Sequence, residues 1–201
     1  MAESALVLCG GQSTRMGRDK SALPFGDGDT LLTRAIAIAS AVASTVVVAG
    51  RPGPQVPAGI RVIADAVPAA GPLAALAGAL PALPEGRMIL LSCDAPLVVP
   101  ALLRLLLDRL ADTGADACVP MIDGVPMPTC AAYTTRVHAH AARLVASGER
   151  SLRALLDAIA VEWMSADEVR RVDADLVSFW DCDTPAEYRA ALARDASARR
   201  R

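Results

Sequence analysis

Short apolar runs alternate with helix-like stretches along this chain, and this alternation limits the folds that it can adopt. The apolar runs of the first half lie at 6–9, 45–49, 60–64 and 88–93. Helical patterns lie between them, such as the one that starts at Gly71-Pro72. Parallel strands need long crossover connections of this kind. The pattern therefore predicts an α/β fold with a mostly parallel sheet and helices on both faces.

The second half of the chain predicts further elements of both kinds. A strand is expected to return at 129–133, antiparallel to the one before it, and another strand is expected at 179–182. Thr184 and Glu187 have the spacing of a capping box, which indicates that a closing helix begins near Pro185.

The length and composition favour one domain. In 201 residues, 53% are hydrophobic, which is enough for one substantial core, and no linker-like stretch or internal repeat divides the chain. We therefore expect a single domain over 1–195, followed by a flexible tail at 196–201.

The charge pattern excludes several classes of partner. The net charge is −2 and no long basic run lies within the chain, so no nucleic-acid partner is expected. The N-terminal residues lack the basic segment of a secretory signal, and the longest uncharged run, 66–84, contains four prolines. We expect a cytoplasmic protein without a membrane-spanning segment.

The five cysteines form no C-x-x-C pair, which predicts buried thiols and neither disulfides nor a zinc site.

The first apolar run ends in a loop suited to bind an anion. Backbone N–H groups of Gly10-Gly11 can face phosphate oxygens, and two cations follow, Arg15 and Lys20, the latter being the only lysine in the chain. The loop matches neither the Walker A motif nor G-x-G-x-x-G. From the residues alone, a plain strand-to-helix turn is the alternative.

Two aspartates follow other strands and are expected at the same edge of the sheet. Asp65 comes after the run at 60–64, and Asp94 after the run at 88–93. In open parallel sheets, ligands bind beyond the carboxyl ends of the strands. A helix-capping role is the alternative for Asp94.

These motifs resemble those of the molybdenum cofactor guanylyltransferases, within the wider nucleotidyltransferase family. The segment 8–20 is similar to the family signature L-A-G-G-x-S-x-R-M-G-x-D-K. The likeness continues, in the family's order and spacing, through Val62-Ile63-Ala64-Asp65, Gly71-Pro72-Leu73-Ala74, Cys93-Asp94-Ala95-Pro96, Gly148-Glu149-Arg150 and Asp183-Thr184-Pro185. The resemblance covers nearly the whole chain and implies a three-layer Rossmann-like fold of the nucleotide-diphospho-sugar transferase type.

The resemblance also implies a reaction, in which GMP passes from GTP to molybdenum-bound molybdopterin and pyrophosphate leaves. The implied substrates are GTP and the molybdopterin cofactor. Transient contacts with molybdopterin-delivering proteins, and with molybdoenzymes or their chaperones, are also implied.

The same resemblance implies a role for each site residue. Arg15, Lys20 and Asp94 are the implied catalytic residues, and Asp94 and Asp183 are the implied ligands of Mg²⁺. The implied nucleotide-binding residues are Leu8, Cys9, Gly10, Gly11, Lys20, Asp65 and Asp94, and the implied acceptor-binding residues are Arg150, Asp181 and Asp183. A helix-start role is the alternative for Asp183, and an interhelical turn for Arg150.

Two departures from the family pattern leave the choice of base open. Gly50 stands where guanylyltransferases often carry asparagine, and Asp181-Cys182-Asp183 stands in place of an N-x-N run. A cytidylyltransferase or a sugar-phosphate nucleotidyltransferase is therefore the alternative within the class. A non-catalytic nucleotide-binding module is the alternative from another class.

Two further pairs of residues carry weaker functional signals. His138 and His140 lie two apart on a predicted helix, so they point to different faces and are expected at the surface. Trp163 and Trp180 lie in apolar runs and are expected to fill the core.

Overall fold

The structure, a computed structural model, describes residues 2–10, 20–50, 56–64 and 71–198. Its ten strands are β1 (Ala2–Cys9), β2 (Pro24–Phe25), β3 (Asp29–Thr30), β4 (Thr45–Gly50), β5 (Arg61–Ile63), β6 (Gly86–Ser92), β7 (Ala117–Ile122), β8 (Val125–Pro126), β9 (Cys130–Thr134) and β10 (Val161–Ser165). Its α-helices are α1 (Leu31–Ser40), α2 (Pro72–Ala79), α3 (Pro100–Thr113), α4 (His138–Ala146), α5 (Leu152–Leu156), α6 (Ala166–Arg170) and α7 (Pro185–Ala198).

Eight of these strands form one mixed sheet. Its order is β10-β7-β9-β6-β1-β4-β5, and β8 pairs with β7. The β1 strand is central and parallel to both neighbours, so that Leu6 lies opposite Val47 on one side and Leu90 on the other. β9 runs antiparallel to β6 and β7, whereas β10 is parallel to β7 and β5 to β4. The mostly parallel sheet predicted from the sequence is confirmed.

Helices cover both faces of the sheet, because the central strands are apolar on both sides. Ala5 and Val7 of β1 belong to a core cluster that includes buried residues of α1, α3 and α6. Leu6 and Leu8 point to the other face and pack with buried residues of α2, α4 and α5. Burial on both faces is what makes these strands read as continuous apolar runs in the sequence.

A third, smaller cluster joins two distant parts of the chain. It contains Phe25 and Leu31, which follow Lys20 in sequence, together with Cys182 and Ala191 near the C-terminus. This packing holds α7 against the segment that leads from Lys20 into α1.

Several expectations for the second half of the chain are confirmed. The return strand is present as β9, and Thr184 and Glu187 form the capping box, with N–H to side-chain oxygen distances of 2.8 and 3.2 Å. The closing helix is present as α7, but it extends to Ala198 and so includes residues 196–198, which were expected to belong to the tail. All five cysteines are buried, and the His138 side chain is exposed.

Two expectations are wrong. Residues 179–182 do not form a strand: a 3₁₀ turn covers Val177–Phe179, and the Cys182 N–H donates to the carbonyl of Asp94 (2.9 Å) and not to a strand partner. Trp163 is 44% exposed and does not fill the core. It lies on β10, an edge strand of the sheet, where fewer neighbours are available to cover a large side chain.

Within the four described segments, every helix is too short or too polar to span a lipid bilayer.

Candidate active site

The candidate site lies at the carboxyl ends of β1 and β6. The Cys93 N–H, just beyond β6, donates to the carbonyl of Leu8 in β1 (3.0 Å). This bond extends the parallel ladder by one step and places the Asp94 turn beside the end of β1. Leu8, Cys9 and Gly10 therefore lie at the same edge of the sheet as Asp94, as the alternation of strands and helices predicted.

Lys20 lies between two carboxylates that come from different parts of the chain. Its Nζ donates to Oδ1 of Asp183 at 2.6 Å and lies 3.8 Å from Oδ2 of Asp94. The Lys20 side chain is 17% exposed. The two implied metal ligands are thus brought to one point, with a cation between them.

Asp183 is held there by the chain on either side of it. The preceding residue, Cys182, is fully buried in the third cluster and bonds through its N–H to the Asp94 carbonyl. After Asp183 the capping box starts α7, and the Tyr188 hydroxyl of that helix donates to the carbonyl of Pro24. The segments that carry Lys20, Asp94 and Asp183 are therefore attached to one another directly.

Ser92 orients Asp94, and it was not among the residues expected from the sequence. Its hydroxyl donates to Oδ1 of Asp94, which leaves Oδ2 on the side of Lys20. Ser92 lies within the apolar run at 88–93, and nothing in the sequence distinguishes it as a site residue. The hydrogen bond restricts rotation of the Asp94 carboxylate. A carboxylate that binds a metal needs such a fixed orientation.

Negative charge exceeds positive charge among the described residues of the site. The pKa of Asp181 is raised to about 7, first by desolvation and then by the charges of Asp94 and Asp183. Asp181 is exposed in the structure, so solvent screens much of this effect and only the direction of the change matters for the site. Burial disfavours the charged form of Lys20, but the hydrogen bond to Asp183 and the charge of Asp94 outweigh it and raise its pKa.

This charge balance and the oxygen donors fit a hard divalent cation. No group of three or more His, Cys, Asp or Glu side chains is arranged to hold a metal ion among the residues that the structure describes. Magnesium needs fewer protein ligands than that, since it retains waters and binds substrate phosphates. Asp94 and Asp183 are the two carboxylates beside Lys20 that could supply such ligands.

Arg150 contributes to the same edge of the sheet through its backbone. Its carbonyl accepts a hydrogen bond from the Leu73 N–H in the first turn of α2 (3.3 Å). Gly71 has φ +87°, and a Cβ there would lie 2.8 Å from that carbonyl oxygen. This close approach of the two backbones leaves no room for a side chain at position 71. The Arg150 side chain is exposed and pairs with no acidic group in the part of the chain described.

Gly50 has a steric reason to lack a side chain. It ends β4 with φ +123°, and a Cβ there would lie 1.8 Å from the carbonyl oxygen of Cys9. The asparagine of the family pattern cannot occupy this backbone.

Three implied site residues, Gly11, Arg15 and Asp65, lie outside the described residues.

Comparisons with known proteins agree with this fold and show the family. Residues 5–169 match the family model described as the MobA-like NTP transferase domain. A Mycobacterium avium protein named "probable molybdenum cofactor guanylyltransferase" is 35% identical over 172 residues, which are 83% of this chain and 87% of that protein.

Solved structures show the same fold. The molybdopterin-guanine dinucleotide biosynthesis protein A from Archaeoglobus fulgidus aligns with a TM-score of 0.84 at 24% identity, over 96% of this chain and 99% of that one. The 2-C-methyl-D-erythritol 4-phosphate cytidylyltransferase from Thermus thermophilus aligns with a TM-score of 0.71 at 17% identity, over 95% and 98% of the two chains. The expected nucleotide-diphospho-sugar transferase type of fold is confirmed.

The match of residues 5–169 spans β1, the Asp94 turn and Arg150, although it ends before Asp183. Together with the identity to the curated relative, it decides the class of enzyme: the chain is a nucleotidyltransferase and belongs to the family of MobA-like NTP transferase domains.

Proposed function

We propose that this nucleotidyltransferase transfers GMP from GTP to the terminal phosphate of molybdenum-bound molybdopterin. The products are pyrophosphate and the molybdopterin guanine dinucleotide cofactor. The observation that carries the proposal is the meeting of Lys20, Asp94 and Asp183 at the carboxyl edge of the sheet. The printed name of the Mycobacterium avium relative supports the choice of GTP and molybdopterin.

The chemistry is an in-line displacement at the α-phosphorus of GTP. An oxygen of the acceptor phosphate forms a bond to that phosphorus, and the bond to the pyrophosphate oxygen breaks. Two anions approach each other in this step, so cationic groups are needed to screen them and to stabilise the charge on the leaving group. We assign this role to Lys20 and Arg15. No nucleophilic side chain is required, because the acceptor phosphate attacks directly.

Nucleotide binding is assigned to the end of β1 and to the aspartates beyond the strands. Leu8, Cys9, Gly10 and Gly11 would hold the nucleotide, with the backbone N–H groups of the two glycines against the phosphates, and Asp65 would contact the nucleoside. Asp94 and Asp183 would hold Mg²⁺, which supplies charge neutralisation at the phosphates when bound. Ser92 supports this assignment of Asp94 by fixing its carboxylate.

Acceptor binding is assigned to Arg150, Asp181 and Asp183. The exposed guanidinium of Arg150 suits an anionic pterin phosphate. The resemblance to the guanylyltransferases is the basis for proposing contacts with proteins that deliver molybdopterin and with molybdoenzymes or their chaperones. A cytoplasmic location is proposed as well. The single sheet supports one nucleotidyltransferase domain over 1–195.

Another base or acceptor is the second candidate. The Asp181-x-Asp183 pattern and the glycine at position 50 favour it, since both depart from the guanylyltransferase pattern. A cytidylyltransferase or a sugar-phosphate nucleotidyltransferase would use the same edge of the sheet. A non-catalytic nucleotide-binding module would bind GTP tightly without releasing pyrophosphate.

The deciding experiment measures pyrophosphate release with Mg²⁺, molybdenum-bound molybdopterin and each of the four nucleoside triphosphates. We expect release with GTP and little with CTP. Lys20→Ala and Asp94→Ala should each lower kcat by about 10²-fold or more, as is usual for groups that stabilise transition-state charge. Asp112→Ala, which removes an exposed carboxylate on α3, is the matched control and should be unaffected.

A preference for CTP, or release with a sugar phosphate alone, would replace the proposed substrates but retain the class. Wild-type turnover in Lys20→Ala or Asp94→Ala would refute the assigned site.

A further inference from the structure

Arg34 contacts both of the segments that carry the candidate metal ligands. Its Nε donates to the carbonyl of Pro96 at 3.3 Å, and Pro96 lies two residues after Asp94. Its Nη2 lies 3.6 Å from Oδ1 of Asp195 on α7, the helix that begins two residues after Asp183. One guanidinium on α1 therefore bridges the Asp94 turn and the helix that follows Asp183.

We propose that Arg34 is a positioning residue that sets the separation of Asp94 and Asp183, and thereby the affinity of the site for a divalent cation. This inference rests on the proposed function, because it takes those two carboxylates as the metal ligands. Arg34 itself touches neither of them in the contacts described above.

The guanidinium is suited to this role because its donors are fixed in one plane. Nε and Nη2 reach acceptors on two different segments at the same time, which constrains the distance between those segments. A lysine at this position has a single ammonium on a flexible stem and cannot reproduce both directions. A positive charge at position 34 is therefore not sufficient to form the bridge.

The surroundings make the bridge stiff. Asp195 is 6% exposed, so its carboxylate is poorly solvated and favours a nearby cation. Arg34 projects from a helix whose opposite face is buried in the main core by Leu32, Ala35 and Ile36. The anchor of the bridge is thus a packed helix, and the bridge fixes α7 relative to the turn that carries Asp94.

A second link limits the size of the effect. The Cys182 N–H bonds to the Asp94 carbonyl at 2.9 Å, so the two segments stay together without Arg34. Loss of the bridge should therefore change the distance between the two carboxylates slightly, while the two segments remain in contact. Residues that orient metal ligands usually change affinity by about 10–100-fold, and we expect the lower end of this range.

The test measures binding of Mn²⁺ alone by electron paramagnetic resonance, at a temperature where circular dichroism shows every variant to be folded. Arg34→Met and Arg34→Lys should both raise the Kd for Mn²⁺ by about 10-fold. Arg136→Met is the matched control. It removes an arginine that lies 3.6 Å from Asp116 Oδ1, in an ion pair at the opposite edge of the sheet, and it should bind Mn²⁺ like the wild type.

Asp195→Asn gives a second route to the same answer if Arg34→Met does not fold. It should raise the Kd less than Arg34→Met does, because the hydrogen bond to the Pro96 carbonyl remains. Wild-type Mn²⁺ affinity in Arg34→Met, or full rescue by Arg34→Lys, would overturn the inference, as would a wild-type protein that binds no Mn²⁺. A wild-type protein that binds Mn²⁺ but does not transfer GMP refutes the proposed function instead.

Discussion

Replacing Gly50 with alanine should destabilise the protein strongly, because the end of β4 runs against the backbone of β1. A Cβ at this position would lie 1.8 Å from the Cys9 carbonyl oxygen, and the two strands would need to move apart by roughly 1.2–1.6 Å to relieve the contact. Overpacking of a rigid core usually costs about 1–3 kcal/mol. The positive φ of +123° adds about 1 kcal/mol for any residue with a side chain.

We therefore expect Gly50→Ala to lower the free energy of unfolding by about 3 kcal/mol. In a domain of this length that corresponds to a fall in Tm of about 6–12 °C. Urea denaturation gives the free energy and differential scanning calorimetry gives the Tm.

Gly114→Ala is the control that separates the two contributions. Gly114 also has a positive φ, +66°, but a Cβ there would meet no atom within 4 Å. Its substitution should cost only the backbone term, about 1 kcal/mol. Equal losses in the two variants would refute the steric explanation, and so would a stable Gly50→Asn variant.

Two further substitutions test hydrogen bonds made to the carboxylates of Asp94 and Glu168. Ser92→Ala removes the hydroxyl that donates to Asp94, so the Kd for Mn²⁺ should rise about 10-fold. Ser92→Thr keeps a hydroxyl and should bind Mn²⁺ like the wild type. Wild-type binding by Ser92→Ala would refute the orienting role. Hydrogen bonds from Ser165, and then the charge of Arg109, lower the pKa of Glu168 from its usual 4.5 to about 2. The unfolded state therefore binds a proton first as pH falls, and this contribution to stability should be lost between about pH 4.5 and pH 2. Urea denaturation of Glu168→Gln should lack that loss, and an unchanged pH dependence would contradict the assignment.

The elements that could be predicted were those with a strong local signal. The core strands β1, β4 and β6 are apolar on both faces, and α7 begins with a capping box, so neighbouring residues alone indicate them. The position of Asp94 followed from the same logic, since it comes directly after the most apolar strand. These features are local, and tertiary contacts strengthen them without changing them.

The errors arose where the structure depends on position within the sheet. Residues 179–182 are apolar enough for a strand, but the Cys182 N–H bonds to the Asp94 carbonyl at the sheet's edge. Trp163 is exposed because β10 is an edge strand. The order of strands is decided by pairing free energies between distant segments, which local patterns do not contain.

The sequence by itself determined the α/β class, the strand-to-loop transition before Lys20 and the presence of aspartates at strand ends, because spacing and polarity encode these directly. Only the tertiary structure decided that Lys20 meets Asp183, 163 residues away, that Ser92 donates to Asp94, and that Arg34 joins the Asp94 turn to α7. It also decided that position 50 must be glycine, since the reason is a carbonyl oxygen on the neighbouring strand. The physical reason is the same in each case: these contacts join segments whose approach depends on the packing of the whole sheet.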